Sequence, residues 1–270
     1  VEYEQRGKEK AEYGSNLLDI LSKDLKLRYG KGFAKSNLYF IRQFYLKYPK
    51  FQTLSGKFSW SHYVELLSVD DDLSRSFYEK QCINEKWSVR ELRRQKNSLL
   101  FERIALSKNK QGVLELSKKG QLIEKVQDLV KDPYILEFLK IPEDHKYSEK
   151  YLEQKIIDNL QMFLLELGKG FTFVARQYRI TLDNTHFYVD LVFYHRILKC
   201  FVLIDLKIGK VTHQNIGQMN LYLNYFKKEE NSKIDSAPIG IILGTEKDNL
   251  TVEYALCGIT NKLFVSKYKL

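Results

Sequence analysis

The feature that most constrains this chain is a pair of apolar runs, "HFYVDLVFY" and "KCFVLIDLK", parted by a short connection. Their Phe, Val, Ile and Tyr content favours strand over helix. Joined this closely, they pair as a buried antiparallel hairpin. With Ile197 and Leu198 at the turn, paired residue numbers sum to about 395, so Asp190 stands opposite Asp205. Directly opposed residues have Cβ atoms about 4.5–5.5 Å apart. Lys207, two residues beyond Asp205, projects from the same face. An acid and a lysine two apart at a strand end are by themselves a common structural ion pair. Asp190 across from them changes the reading, because two carboxylates that close destabilise a hairpin unless a cation lies between them.

The cation that fits is Mg²⁺, a hard ion that takes oxygen ligands, keeps several waters and uses one or two carboxylates. Asp190 and Asp205 are the candidate ligands, with the backbone carbonyl of Ile204 or Leu206 nearby. Lys207 is placed to orient a water or to steady negative charge in a transition state. Glu153 lies early in the preceding helical segment, next to its apolar face. Gln214 and Gln218 are one turn apart on the following helix and share a face. Arg176 and Gln177, late in the strand-like run "FTFVARQYRI", are candidates to contact substrate. Glu166 sits near a helix C-terminus, where its charge is unfavourable, and is either functional or solvated.

Other chemistries find no support. His186, His195 and His213 have neither HExxH nor HNH-like spacing, and there is no GxSxG elbow. Cys82, Cys200 and Cys257 are far apart and never form CxxC, which argues against a disulfide framework and a cysteine zinc site. No apolar run approaches the roughly 18–20 residues that span a bilayer, so no membrane partner is expected. "VEYEQRGKEK" lacks an apolar signal region, and the expected location is the cytoplasm.

Around the hairpin the elements run α-β-β-β-α-β-α-β, from "SEKYLEQKIIDNLQMFLLELGKG", read as one long helix, to a last strand "KLFVSKYKL". That order gives a mixed sheet flanked by helices. Residues 1–130 read as helical, and Pro133 and Pro142 mark a boundary, giving domains 1–140 and 141–270. Of the formal net charge of +10, the first 140 residues hold 27 basic against 19 acidic side chains. Such a bias suggests a polyanionic partner, and nucleic acid is the expected one. "WSVRELRRQKNSLLFERIALSKNK" reads as one long basic helix, with Ser88 and Glu91 at capping-box spacing. Short helices followed by a basic helix suit a helix-turn-helix-like module, with Arg90, Arg93, Arg94 and Lys96 as candidate phosphate contacts.

Together, Glu153, Asp190, Asp205-Leu206-Lys207 and Gln218 resemble the core of the PD-(D/E)xK nucleases. More closely, the chain resembles the bacterial YhcG-like family through "FSWSHYVELL", "RSFYEKQCINEKWSVRELRRQ", "FLLELGKGFTFVARQYRI", "VDLVFYHRILKCFVLIDLKIGK" and "GQMNLYLNYF". The resemblance implies an α+β two-domain fold: a helical N-terminal domain and a restriction-endonuclease-like, mixed-sheet C-terminal domain. It implies Mg²⁺-dependent phosphodiester cleavage, with DNA as the expected substrate and Mn²⁺ as a substitute ion. The superfamily's acids fall on Asp190 and Asp205, its lysine on Lys207, its helix glutamate on Glu153 and its glutamine on Gln218. Val189 stands where the superfamily's name has proline, and residue 205 is the shorter of the two acids. Two alternatives stand beside the DNA endonuclease. One is an idle nuclease fold serving as a DNA-binding or complex-assembly protein, the other an RNA nuclease. Homo-oligomerisation is compatible with each.

Overall fold

The computed structural model describes residues 17–48, 58–106, 108–142 and 146–270. "VEYEQRGKEK" lies outside the described residues. The chain divides into two compact units, one running to Asn97 and the other Ser98–Leu270.

The first unit is helical: α1 (Leu17–Tyr29), α2 (Lys35–Lys47), α3 (Trp60–Leu67), α4 (Asp72–Glu85) and α5 (Val89–Asn97). Its helix ends follow local chemistry. Asp71 caps α4 by accepting from the Ser74 N–H, which satisfies one of the orphan donors of a helix start. Lys86 takes a left-handed conformation and ends α4. The Ser88 hydroxyl then accepts from the Glu91 N–H at 3.2 Å, as its spacing predicts. The connection between α4 and α5 is thus a short, tight turn. Leu66, Phe77, Tyr78, Cys82 and Leu92 are buried in this unit.

The second unit opens with α6 (Leu100–Ala105), α7 (Lys110–Lys119) and the short strand β1 (Tyr134–Ile135). It continues with α8 (Glu149–Asp158), α9 (Leu160–Leu167), β2 (Phe171–Leu182), β3 (Thr185–His195), β4 (Cys200–Lys210), α10 (His213–Tyr225), β5 (Ile239–Glu246), α11 (Asn249–Leu256) and β6 (Lys262–Lys269). The sheet order is β1-β6-β5-β4-β3-β2. β2, β3 and β4 pair antiparallel, whereas β4, β5, β6 and β1 pair parallel. The expected mixed sheet with flanking helices is therefore observed. One face packs Leu152, Ile156 and Phe163 of α8 and α9 against Leu191, Phe193, Val202 and Ile204. The other packs Ile216, Met219 and Leu223 of α10 and Val252 of α11 against Val192, Leu203 and Ile242. Gly240 lets α10 approach: a Cβ there would lie 2.7 Å from Met219 Cγ.

Two expectations about helices are corrected. The single basic helix breaks into α5 and α6, because Leu99 adopts φ +54° at the start of α6. The turn sends Arg103 inward, where its guanidinium donates to Glu166 Oε1 at 2.9 Å and to the Pro133 carbonyl at 2.8 Å. The helix expected over 148–167 breaks at Asn159, whose side chain donates to the Lys155 carbonyl at 3.0 Å, a local bond that competes with helical geometry. The compact units part after Asn97, whereas the expected boundary is 140. The reason is β1, which comes from the segment expected in the first domain and pairs with β6.

Candidate active site

The β3–β4 register is Leu191↔Ile204, Val192↔Leu203, Phe193↔Val202, Tyr194↔Phe201 and His195↔Cys200. Each pair sums to 395, as the turn arithmetic requires, and the next position outward is Asp190 beside Asp205. The hairpin keeps this register because both strands bury apolar side chains, and a one-residue slip would turn them to the wrong faces. Asp190 Oδ2 accepts from the Leu206 N–H at 2.8 Å, which ties the first acid to the backbone beside the second.

Asp205 is 3% exposed. Burial first, and the neighbouring Asp190 charge second, push its pKa up to about 7 against the pull of Lys207. Lys207 Nζ lies 2.9 Å from Asp205 Oδ2 as an ion pair. Burial works to lower the Lys207 pKa, but Asp205, Asp190 and Glu149 together outweigh it and hold the ammonium above its ordinary value. Immediately after Lys207 the β4–β5 register shifts, with Gly209 at φ +86°. An irregularity at this place ends regular pairing and re-aims the side chains beside it.

Glu153 enters from α8. Its side chain is buried, and its Oε2 accepts from Gln177 Nε2 at 2.6 Å. The same Gln177 nitrogen donates to Asp190 Oδ1 at 3.0 Å. Arg176 Nε lies 3.3 Å from Glu153 Oε1, and its Nη1 donates to Gln154. Desolvation raises the Glu153 pKa, and the Asp190 charge adds to it, while the Gln177 hydrogen bond and Arg176 oppose them. The structure thus brings Glu153, Asp190, Asp205, Lys207, Arg176 and Gln177 into one cluster. Arg176 and Gln177, expected as substrate contacts, are engaged with the acids.

Residues on α10 stand differently. Gln218 is exposed and its amide donates to the Tyr222 hydroxyl, which in turn donates to the Tyr188 carbonyl at 3.1 Å. Burial, and then the Asp205 charge, push Tyr222 up to about 12, so the buried hydroxyl stays protonated beside the acids. Gln214 is exposed in the first turn of α10. Glu166 is fully buried and paired with Arg103, away from solvent, so it is structural rather than solvated.

Glu149 is the residue that sequence reasoning missed. At the first position of α8, it accepts from the Ile208 N–H at 3.1 Å and lies 3.5 Å from Lys207 Nζ. It stands one helical turn before Glu153, so the i, i+4 rule could have found it.

Among the described residues, no group of three or more His, Cys, Asp and Glu side chains forms a metal cluster. Two buried carboxylate oxygens, Asp205 Oδ2 and Glu153 Oε1, nevertheless accept no aligned hydrogen bond. What faces them is charge alone, from Lys207 and Arg176. Under-satisfied acidic oxygens beside a second carboxylate are a donor set that suits a hard cation.

Residues 127–270 match the family described as the YhcG PDDEXK nuclease domain. The chain belongs to this YhcG nuclease family. Residues 1–103 match the DUF1016 N-terminal domain. The chain is 39% identical over 302 aligned residues to "Putative nuclease YhcG" of Escherichia coli (strain K12), covering 100% of this chain and 80% of that protein. Among solved structures, a repair endonuclease from Pyrococcus abyssi aligns over 47% of this chain and 49% of its own, at TM-score 0.33 and 20% identity. The EndoMS-dsDNA2 complex aligns over 47% and 48%, at TM-score 0.33 and 14% identity. The chain spans about half the length of those solved structures, and a likeness that weak says nothing further of it.

In this YhcG-family chain the basic positions of α5 are largely engaged within the first unit. Glu65 of α3 pairs with Arg93 at 2.6 Å and with Lys96 at 2.7 Å. Arg94 lies 3.6 Å from Glu91 with only 10% of its side chain exposed, so it is not on the outer face expected of it. Arg90 is exposed, and the Arg93 side chain keeps 61% exposure.

Proposed function

We propose that this chain is a Mg²⁺-dependent DNA endonuclease of the PDDEXK type. The observation that carries the reading is half-buried Asp190 beside buried Asp205, one position beyond the Leu191↔Ile204 pair of β3 and β4. Lys207 stands 2.9 Å from Asp205, and buried acidic oxygens beside it lack aligned hydrogen bonds. Asp190 and Asp205 would hold the ion. When bound, Mg²⁺ supplies charge neutralisation at the scissile phosphate and lowers the pKa of water.

The chain's own residues do the rest. Leu206 N–H and Gln177 hold the Asp190 carboxylate in place through one oxygen each. Asp205 and Glu149 hold the Lys207 ammonium between them. Lys207 remains charged across the physiological range, so it donates hydrogen bonds to the attacking water or to the phosphate oxygen on which charge builds. Glu153 extends the acidic wall, and Gln218 stands exposed at the rim to meet substrate. The first unit, with Arg90 and Arg93 on its surface, binds DNA or a protein partner.

The test is cleavage of labelled single-stranded, duplex and branched DNA, and of RNA, in EDTA, Mg²⁺ and Mn²⁺. The expected result is DNA cleavage that needs the metal and disappears in Asp205→Ala and Lys207→Ala. An Asp205→Ala protein that cuts as fast as the parent sinks the site assignment. RNA cleavage without DNA cleavage supports an RNA nuclease. Absence of both metal binding and cleavage supports an idle fold that serves in binding.

A further inference from the structure

The backbone of β2 carries a feature that neither pairing nor a turn requires. Gln177 has φ +46° in the middle of a strand. Asp183 and Asn184 are also left-handed, but they form the β2–β3 hairpin turn, where such values are needed. The pairs on either side, Arg176↔Leu191 and Tyr178↔Val189, keep one register, so no residue has been inserted at Gln177. A residue with a side chain held in this region is strained.

The consequence is visible in where side chains go. Consecutive residues of a regular strand point to opposite faces. Arg176 and Gln177 are consecutive, yet both reach Glu153, at 3.3 Å to Oε1 and 2.6 Å to Oε2. Ala175 and Tyr178, three apart, both pack against the core beneath α10. Across the ladder Val189 and Val192, also three apart, do the same. The face alternation is therefore reset at Gln177 and at Asp190, its opposite number.

We propose that Gln177 is a positioning residue that sets the spacing of Glu153 and Asp190, and that its left-handed backbone serves to aim its amide between them. This rests on the reading of Asp190 and Asp205 as the metal-holding pair. A primary amide suits the task, because its nitrogen carries two hydrogens and no charge. It bridges two carboxylates without neutralising them, so the acids stay available to a cation. A lysine or arginine at 177 would add the competing charge, and an acid would add a third repulsion. The amide hydrogens are spent inside the site, which removes Gln177 from the residues expected to contact nucleic acid.

Two variants of the full chain test this. Gln177→Gly removes the amide and relaxes the backbone, since glycine adopts positive φ freely. Gln177→Met keeps the length and the strain but has no donor. Mg²⁺ affinity is read by titration calorimetry, folding by melting in EDTA, and kcat and KM on duplex DNA. Both variants are expected to weaken Mg²⁺ binding by about 10- to 100-fold, as loss of an outer partner does, with kcat reduced and KM for DNA unchanged. Gln177→Gly is expected to melt in EDTA no lower than the parent. Parent-like Mg²⁺ affinity in Gln177→Met overturns the proposal, and so does a raised KM for DNA with unchanged metal affinity. If the parent itself binds no Mg²⁺ and cuts no DNA, the underlying reading fails and takes this inference with it.

Discussion

Asp205 sets its proposed chemical role against the stability of the fold. Its carboxyl is buried beside another acid, and its pKa is pushed up to about 7. In the unfolded chain the same group ionises near the ordinary value of about 3.9. Between those values the native state holds a proton that the unfolded state has released. Stability therefore falls as pH rises from about 4 through 7 in the metal-free protein. Asp205→Asn removes this dependence. Its melting temperature in EDTA is expected to exceed the parent's at pH 8 and to match it near pH 4. The same substitution should slow cleavage at least about 100-fold, the scale of losing a preorganised charged group at a reacting centre. A variant that melts below the parent at pH 8 would show that the carboxylate is stabilising and that the charge argument is wrong. Asp190, Asp205 and Lys207 are legible in the sequence alone because hairpin pairing is arithmetic. Gln177 is legible there only as a polar residue near a strand end, since nothing in its neighbours announces a left-handed backbone.

At the scale of elements, the placement of α6 depends on one buried ion pair. Arg103 is 6% and Glu166 0% exposed on their side chains, and Glu166 Oε1 also accepts from the Ile135 N–H. The pair thereby ties α6, α9 and β1 together. Arg103→Met removes the guanidinium from a fully buried carboxylate, and the expected cost is about 3–5 kcal/mol in urea unfolding. Arg103→Met combined with Glu166→Leu should recover much of that loss, because neither charge then remains to be solvated. If the double variant is no more stable than Arg103→Met, the backbone contacts of Arg103 and Glu166 matter more than their charges. In the sequence, Arg103 is one of a run of basic residues and Glu166 an acid near a helix end. They are 63 positions apart, and no local pattern connects them.

The whole molecule divides where the sequence pattern shows only a basic helix. A fragment 98–270 keeps β1, Arg103 and the full sheet, whereas 141–270 exposes an edge of β6 and loses the Arg103–Glu166 ion pair. The longer fragment is expected to unfold cooperatively and the shorter one to aggregate or melt lower, read by circular dichroism. Equal melting would show that residues 98–140 are dispensable to the sheet. Nucleic-acid affinity belongs to this scale as well. Arg90→Ala with Arg93→Ala should weaken DNA binding and reduce the slope of log affinity against log salt by about 2, near 0.9 for each lost phosphate contact. Arg94→Ala should instead lower stability, because its side chain is inside. An unchanged slope in the double variant would assign the α5 surface to another partner.

The sequence by itself determined the strands, their register and hence the meeting of Asp190 with Asp205 and Lys207. Strand periodicity and a short turn leave one way to pair two apolar runs. The helical first unit and the mixed sheet followed from the same kind of local pattern, and the family from long matching strings. Only the tertiary structure decided the rest: the ion pair that carries α6 to the sheet, Glu149 on Lys207, the engagement of α5 with Glu65, and the amide of Gln177 between two acids. Each of these joins residues far apart in the chain or depends on a backbone angle. Their energies come from desolvation and from charges brought close, and neither exists until the chain is folded.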